Sequence, residues 1–414
     1  MKLRLTLPLL LAQSTSQLLH GQAPKADHWV ATWGTAEMLV RPQPPATPPA
    51  QQAPGAAGFH NQTVRMVVRT SIGGRRLRIK LENAFGSAPV EIGAAHLALR
   101  AKDSEIVAGS DRALTFSGRP GCILSPGVVR LSDPVDLSAP ALTDLAVSLF
   151  FPGETGPPTS HGTGLHTTYI SKEGDFTGRP AIDDAARTTL AYYWLAALDV
   201  EAPAGAAALV TFGDSITDGT ASTANTDHNW PSLLAERLAK NKKTAMIGVA
   251  NMGISGNRVL YDGAGSSALA RFDRDVLSQS GVRWVMLLEG INDIGRVGTP
   301  SPEAPTADDL IAAYRQIVAI AHTHGLKVIG CTLTPYEGAG YSREPGEAVR
   351  EAVNTFIRTG GEFDAVVDFE AATRDQANPK RFRASFDPGD HLHPNDAGYQ
   401  AMADAVDLAI FTRK

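Results

Sequence analysis

The hydrophobic period of this 414-residue chain changes near residue 206, and that change restricts the fold more than any other feature. Between residue 63 and about residue 200, apolar residues fall in short runs separated by Gly and Pro turns. Residues 76–82 alternate strictly, and 89–99, 112–116, 127–131, 144–151, 167–170 and 188–196 are further strand candidates. No helical period stands out among them, so a β-sandwich or jelly roll is expected. From Ala206 onward, buried-type strands (207–212, 244–250, 284–288, 327–333, 365–368) alternate with helical patterns (230–238, 267–278, 306–322, 344–358, 396–411). That order predicts a parallel sheet covered on both faces. Asn229 suits a helix N-cap and Pro231 the first turn behind it. The length exceeds one ordinary core, and two domains are expected, at 24–200 and 206–414.

The first 23 residues read as an export signal: Lys2 and Arg4 precede an apolar run from Leu5 to Ala12. A secreted or periplasmic location follows from that reading. No later stretch is long and apolar enough to span a bilayer. Residues 41–58 are rich in Pro, Ala and Gln and read as a long exposed loop. The net charge of −5 lacks the footprint of a nucleic-acid binder. Arg65, Arg69, Arg75, Arg76, Arg78 and Lys80 largely alternate with apolar residues, which predicts half-buried strands with a charged, solvated outer face. Cys122 and Cys331 sit in no metal or redox spacing; they read as two small buried hydrophobes, although an exported chain could pair them.

Four short segments carry the chemistry. Residues 211–218 (TFGDSITD) place Ser215 just after an apolar strand, where a serine is offered as a nucleophile. Serine is unreactive at its free pKa and needs a base. Residues 390–395 (DHLHPN) supply His393, ahead of the last helix, and Asp390, three residues earlier, to hold its ring. His391 is the internal competitor, but one residue from Asp390 is poor spacing for a carboxylate to orient a ring. The His391–His393 pair lacks a third ligand with its own motif, so neither a metal nor another cofactor is expected. His322 and His324 are explained by a helix C-terminus. An oxyanion needs fixed donors, and the N–H groups of Ser215 and Gly253 with the Asn292 amide suit it. Ser215, Gly253 and Asn292 each follow a predicted parallel strand, so all three fall on the edge where such sheets bind ligands. Asp214 and Asp218, next to the serine, read as structural hydrogen-bonding groups. The elbow Gly-x-Ser-x-Gly is not matched, because Ile216 and Thr217 follow the serine.

Gly213-Asp214-Ser215, Gly253, Gly290-Ile291-Asn292-Asp293 and Asp390-His391-Leu392-His393 together resemble the four blocks of the SGNH hydrolases, also called GDSL esterases. The resemblance covers about 206–414. It implies a flavodoxin-like three-layer α/β/α domain without metal. It also implies Ser215 as nucleophile, His393 as base, Asp390 as its partner, and Ser215, Gly253 and Asn292 as the oxyanion hole. The N-terminal half is similar, more loosely, to the sandwich of secreted bacterial arylesterases and acetyl xylan esterases. Its cues are residues 28–33 (HWVATW), 71–74 (SIGG) and 81–86 (LENAFG). The expected activity is hydrolysis of short acyl esters of carbohydrate, with a small-molecule or polysaccharide ester as substrate and no nucleic-acid partner. A lipase or aryl esterase is the enzyme alternative. A carbohydrate-binding protein with an inert hydrolase half, using exposed Trp29 or Trp33, is the alternative of a different class.

Overall fold

The computed structural model describes residues 28–39 and 55–413. The expected export signal lies outside the described residues, as does most of the Pro-rich stretch.

The N-terminal half contains two main antiparallel sheets. One runs in the order Trp29–Gly34, Leu195–Glu201, Gly74–Glu82, Val135–Ala139. The other has Thr168–Glu173, Gln62–Arg69, Asp144–Phe151 and Ala94–Lys102 as its central strands. Alternate side chains point inward from both. Leu77, Ile79 and Leu81 of one sheet and Val64, Met66 and Val68 of the other are fully buried in a common core. No helix occurs between residues 55 and 206.

The C-terminal half is built on five parallel strands: β1 (Ala207–Gly213), β2 (Ile247–Gly253), β3 (Val282–Leu288), β4 (Lys327–Cys331) and β5 (Ala365–Val367). Their spatial order is β2-β1-β3-β4-β5. The chain leaves β1 to one side for β2 and to the other for β3. The order therefore reverses at β1, and the crevice at its C-terminal end is where such sheets place a ligand. The helices are α1 (Ser215–Asp218), α2 (Trp230–Lys240), α3 (Ala268–Phe272), α4 (Ile291–Ile294), α5 (Ala307–Thr323), α6 (Glu344–Thr359), α7 (Phe369–Thr373) and α8 (Asp396–Asp404). Asn229 caps α2 by accepting from Ser232 N, with Pro231 in the first turn. The expected final helix is shorter: α8 stops at Asp404, and Leu408–Phe411 is a separate 3-10 turn. Asp407 caps that turn, so Met402 and Val406 are buried while Ala405 and Ala409 are exposed.

The two halves are joined by buried contacts. Ala31 N donates to Ser280 O at 2.9 Å, and Val249 N on edge strand β2 donates to Ser71 Oγ at 2.8 Å. An edge N–H is thereby satisfied by the other half of the chain. A Cβ on Gly248 would lie 2.2 Å from Ala31 O, so only glycine allows this approach. The join also corrects the expected solvated basic face. Lys80 is buried and reaches Ser278 Oγ, and Arg78 bonds Asp199, because the second half covers that side of the strand. Arg65 is wholly buried, and its guanidinium donates to Ser148 Oγ and to the carbonyls of Ser104, Thr177 and Arg179. It serves as a cross-brace for loops whose carbonyls would otherwise lack donors. Trp29 and Trp33 are half-buried rather than exposed: Trp29 lies under Arg78, and Trp33 packs edge-on against Tyr192. Cys122 and Cys331 are both free thiols.

The most confined contact across the join is His161 with Asp218. Both are nearly inaccessible, and His161 Nε2 lies 3.0 Å from Asp218 Oδ1 while Nδ1 donates to Ala36 O at 2.7 Å. Burial alone lowers the imidazole pKa, but the Asp218 charge and these hydrogen bonds outweigh it and raise the pKa above its ordinary 6.5. The charged pair therefore adds stability that is complete below about pH 6.5 and is lost as pH rises through the raised value. In urea titrations the midpoint of the parent protein is expected to fall more steeply above pH 6.5 than that of His161→Gln. Parallel pH curves for the two proteins would show that His161 is uncharged in the fold.

Candidate active site

β1 ends at Gly213, and α1 begins two residues later with Ser215. Asp214 is the N-cap of this single turn; its Oδ1 accepts from Ile216 N at 3.0 Å. Ser215 is 5 % exposed and opens toward the C-terminal edge of the sheet. His393 Nε2 lies 2.8 Å from Ser215 Oγ, and His393 Nδ1 lies 2.6 Å from Asp390 Oδ2. A carboxylate accepts only, so Nδ1 carries the proton and Nε2 is left to accept from the serine hydroxyl. Asp390 Oδ1 also accepts the backbone N–H groups of Leu392 and His393, both at 3.0 Å. Its partial burial raises its pKa, but the bonds from the His393 ring and these N–H groups prevail and hold it below the usual carboxylate range. Asn395 caps α8 immediately afterwards, fixing the loop that presents His393.

The three candidate oxyanion donors have different neighbours. Ser215 N has no protein acceptor among the described residues. Gly253 N donates to Asn251 Oδ1 at 2.9 Å, so this donor is shared in the resting site. A Cβ at Gly253 would lie 2.2 Å from Asp218 N, so glycine is required for β2 to approach α1. Asn292 Nδ2 donates one hydrogen to Asn257 O at 2.9 Å, and Asn292 Oδ1 accepts from Tyr341 at 3.3 Å. Those two bonds fix the amide and leave its second N–H available.

His391, the competitor, has a carboxylate of its own. Its Nδ1 lies 2.5 Å from Asp387 Oδ2, which orients its ring in place of Asp390. Asp218 has a structural role: its Oδ2 accepts from both Ser255 N (2.8 Å) and Ser255 Oγ (2.6 Å), stapling the Gly253 loop to α1.

Beneath the site lies a buried ionic cluster that sequence reasoning missed. Arg271 is fully inaccessible. It donates to Gly213 O (2.9 Å) and Met252 O (2.7 Å), at the ends of β1 and β2, and to Asn257 Oδ1 (2.8 Å). It also pairs with Asp275 and Glu289 and lies over the Phe212 ring. Burial raises the Asp214 pKa to about 7 and the Asp293 pKa to about 6, and pushes Glu289 up strongly. One guanidinium thus faces several carboxyls, some of which hold protons. The sequence signal was weak: Arg271 sits in a helical pattern where an exposed arginine is the ordinary outcome. Tyr341 and His161 were missed for the same reason, since their partners are distant in sequence.

Among the described residues there is no group of three or more His, Cys, Asp or Glu suited to hold a metal, and no helix long and apolar enough to cross a membrane.

Residues 211–401 match the GDSL-like Lipase/Acylhydrolase family. Comparison with curated proteins finds no match. Several solved structures are similar to about half of this chain. A variant of an acetyl xylan esterase from Geobacillus stearothermophilus is 24% identical, over 48% of this chain and 92% of its own, with a TM-score of 0.38. A GDSL-like lipase from Bacteroides thetaiotaomicron is 20% identical, over 50% and 88% of the two chains, with a TM-score of 0.37. An alpha/beta hydrolase from the Lake Arreo metagenome is 23% identical, over 50% and 96%, with a TM-score of 0.39.

Proposed function

Because residues 211–401 form a domain of the GDSL-like lipase/acylhydrolase family, we propose that this carboxylic ester hydrolase is exported and removes short acyl groups, acetyl first, from carbohydrate. The observation that carries the reading is the 2.8 Å contact between Ser215 Oγ and His393 Nε2, backed by Asp390. Ser215 attacks the ester carbonyl while His393 takes its proton. The tetrahedral oxyanion is held by Ser215 N–H, the free Asn292 N–H and Gly253 N–H, which exchanges Asn251 Oδ1 for the substrate oxygen. His393 then protonates the departing alcohol, and an acyl-enzyme remains. Water, deprotonated by the same imidazole, releases the acid. Asp390 stabilises the imidazolium in both steps. The mechanism needs no metal.

The choice of a short acyl group on a sugar rests on the loops at the strand ends, which are rich in Gly, Ser, Asn and Asp, and on the lack of a long apolar lid in the sequence. Hydrolysis of p-nitrophenyl acetate, butyrate and decanoate, with acetate release from acetylated xylan, tests it. Rates that decline beyond butyrate, with acetate released from the polymer, are expected. A preference for decanoate would replace the carbohydrate reading with a lipase.

Tyr341 is a positioning residue in this scheme, since it holds the Asn292 amide rather than the substrate. Tyr341→Phe is expected to lower kcat by about five- to tenfold with KM little changed, the effect of one lost hydrogen bond on a transition-state donor. A rise in KM at constant kcat would mean instead that Tyr341 binds substrate.

A further inference from the structure

A cavity of about 80 Å³ lies at the seam between the two halves, on the Asp218 side of α1. The N-terminal half contributes Trp33, His161, His166 and Tyr192, and the C-terminal half contributes Asp227, Asn229 and Ser232. We propose that this seam cavity binds a single neutral sugar ring, at a site separate from Ser215.

His166 carries most of the argument. It is 6 % exposed, its Nε2 lies 2.9 Å from Asp227 Oδ1, and its Nδ1 is buried without a partner. An unmet buried nitrogen carries a cost that a ligand or water would relieve. The Asp227 bond places a proton on Nε2, so Nδ1 accepts when the ring is neutral and donates when it is charged. A hydroxyl satisfies either state, because it both donates and accepts. Asn229 Nδ2 and Ser232 Oγ line the same cavity and have no protein partner among the described residues, which adds a donor amide and a second hydroxyl.

The charges in the wall argue against an ionic ligand. Arg69 is paired with Asp227 at 2.9 Å, and His161 with Asp218 at 3.0 Å, so each cation already has its anion. A phosphate or an ammonium would have to break one of these pairs. An apolar ligand would leave Nδ1 of His166 unmet. Trp33 and Tyr192, edge to face at 5.0 Å, supply the apolar wall that the C–H face of a sugar needs. The volume holds on the order of six waters, the space of one small ring. The wall is also held in unfavourable backbone: Leu165 and Asp227, both lining it, have φ of +60° and +59°. Non-glycine residues keep such angles only where the surroundings over-determine them.

The choice of xylose as first probe rests on the proposed function; the cavity argument does not. Calorimetric titration of full-length Ser215→Ala with xylose, xylobiose and glucose tests it without turnover. A saturable heat is expected, weakened by about tenfold or more in a second protein that also carries His166→Phe, and abolished by Ser222→Trp at the cavity's mouth. Hydrogen exchange of the Ser215→Ala protein provides a readout that does not depend on the seam variants folding. Sugar-dependent protection of residues 163–166 and 222–229 supports the seam. Protection confined to residues 253–257, 292 and 391–393 would overturn it, because the sugar would then sit at Ser215. So would no saturable heat with any of the three sugars, or equal affinity in a folded His166→Phe protein. Turnover of p-nitrophenyl acetate by the parent reports on the esterase reading separately, so failure of one leaves the other intact.

Discussion

Ser215→Ala is expected to lower kcat/KM on p-nitrophenyl acetate by about a thousandfold or more while leaving the thermal midpoint within a degree or two of the parent. The large loss follows from the chemistry: without Oγ there is no acyl-enzyme, and the remaining oxyanion donors can only assist direct attack by water. The small effect on stability follows from the fold. Ser215 Oγ bonds only to His393, a partly accessible residue that can bond water instead. The turn that carries it is held by the Asp214 cap and by the Asp218–Ser255 and Asp218–His161 contacts, none of which the substitution touches. Steady-state kinetics with a thermal melt on the same sample would check both halves of the expectation. Residual activity above about a tenth of the parent's, in a protein free of contaminating esterase, would remove Ser215 from the mechanism.

The second large effect is on stability. Arg271→Met removes a fully buried guanidinium, leaves Glu289 and the Asn257 amide oxygen without their partner, and takes a donor from the Gly213 and Met252 carbonyls, while Asp275 keeps Arg274 and Gly213 O keeps Ile254 N. Breaking a buried ion pair from one side costs about 3–5 kcal/mol, because a charge remains without compensation. The cost should depend on pH. Burial pushes Asp214 up to about 7 and Glu289 up strongly, and Arg271 opposes the rise in both. Without Arg271 both folded pKa values rise further, so the variant and the parent diverge as pH passes about 7. A group raised in the fold contributes stability below its unfolded pKa and loses it as pH rises through the folded value. The variant should therefore lie closer to the parent at pH 5.5 than at pH 8. Urea unfolding at both values measures this. A loss under about 1 kcal/mol, the same at both pH values, would show that the strand ends are held by other contacts. Activity should fall as well, since Arg271 holds the carbonyl ends of β1 and β2, and Asn257 in turn holds Asn292.

Local patterns carried far in this chain. The run 207–212 became β1, the Asn229 and Pro231 signals mark the start of α2, and the pattern at 344–358 became α6 with one residue added. The Asp390 to His393 spacing suits a carboxylate that both orients the ring and accepts the loop's own N–H groups, so it was legible before any coordinates. Two one-turn helices were not legible. α1 and α4 are four residues each, too short to show a period, and they are read from sequence only as turns. The outer face of the Gly74–Glu82 strand was misread because alternation reports that a face is polar, not what covers it.

What the sequence by itself determined is the chemistry within reach of one segment. That includes the two-part periodicity, the serine at a strand end, the late Asp and His, and the donors at the neighbouring strand ends. Each depends on residues a few positions apart, whose geometry the backbone imposes. Only the tertiary structure decided which polar groups share a buried space. His161 meets Asp218 across 57 residues, Tyr341 meets Asn292 across 49, and Arg271 meets Gly213 across 58. No local period encodes such pairs. They form because a buried donor or charge left without a partner costs more than the chain entropy of bringing one from far away.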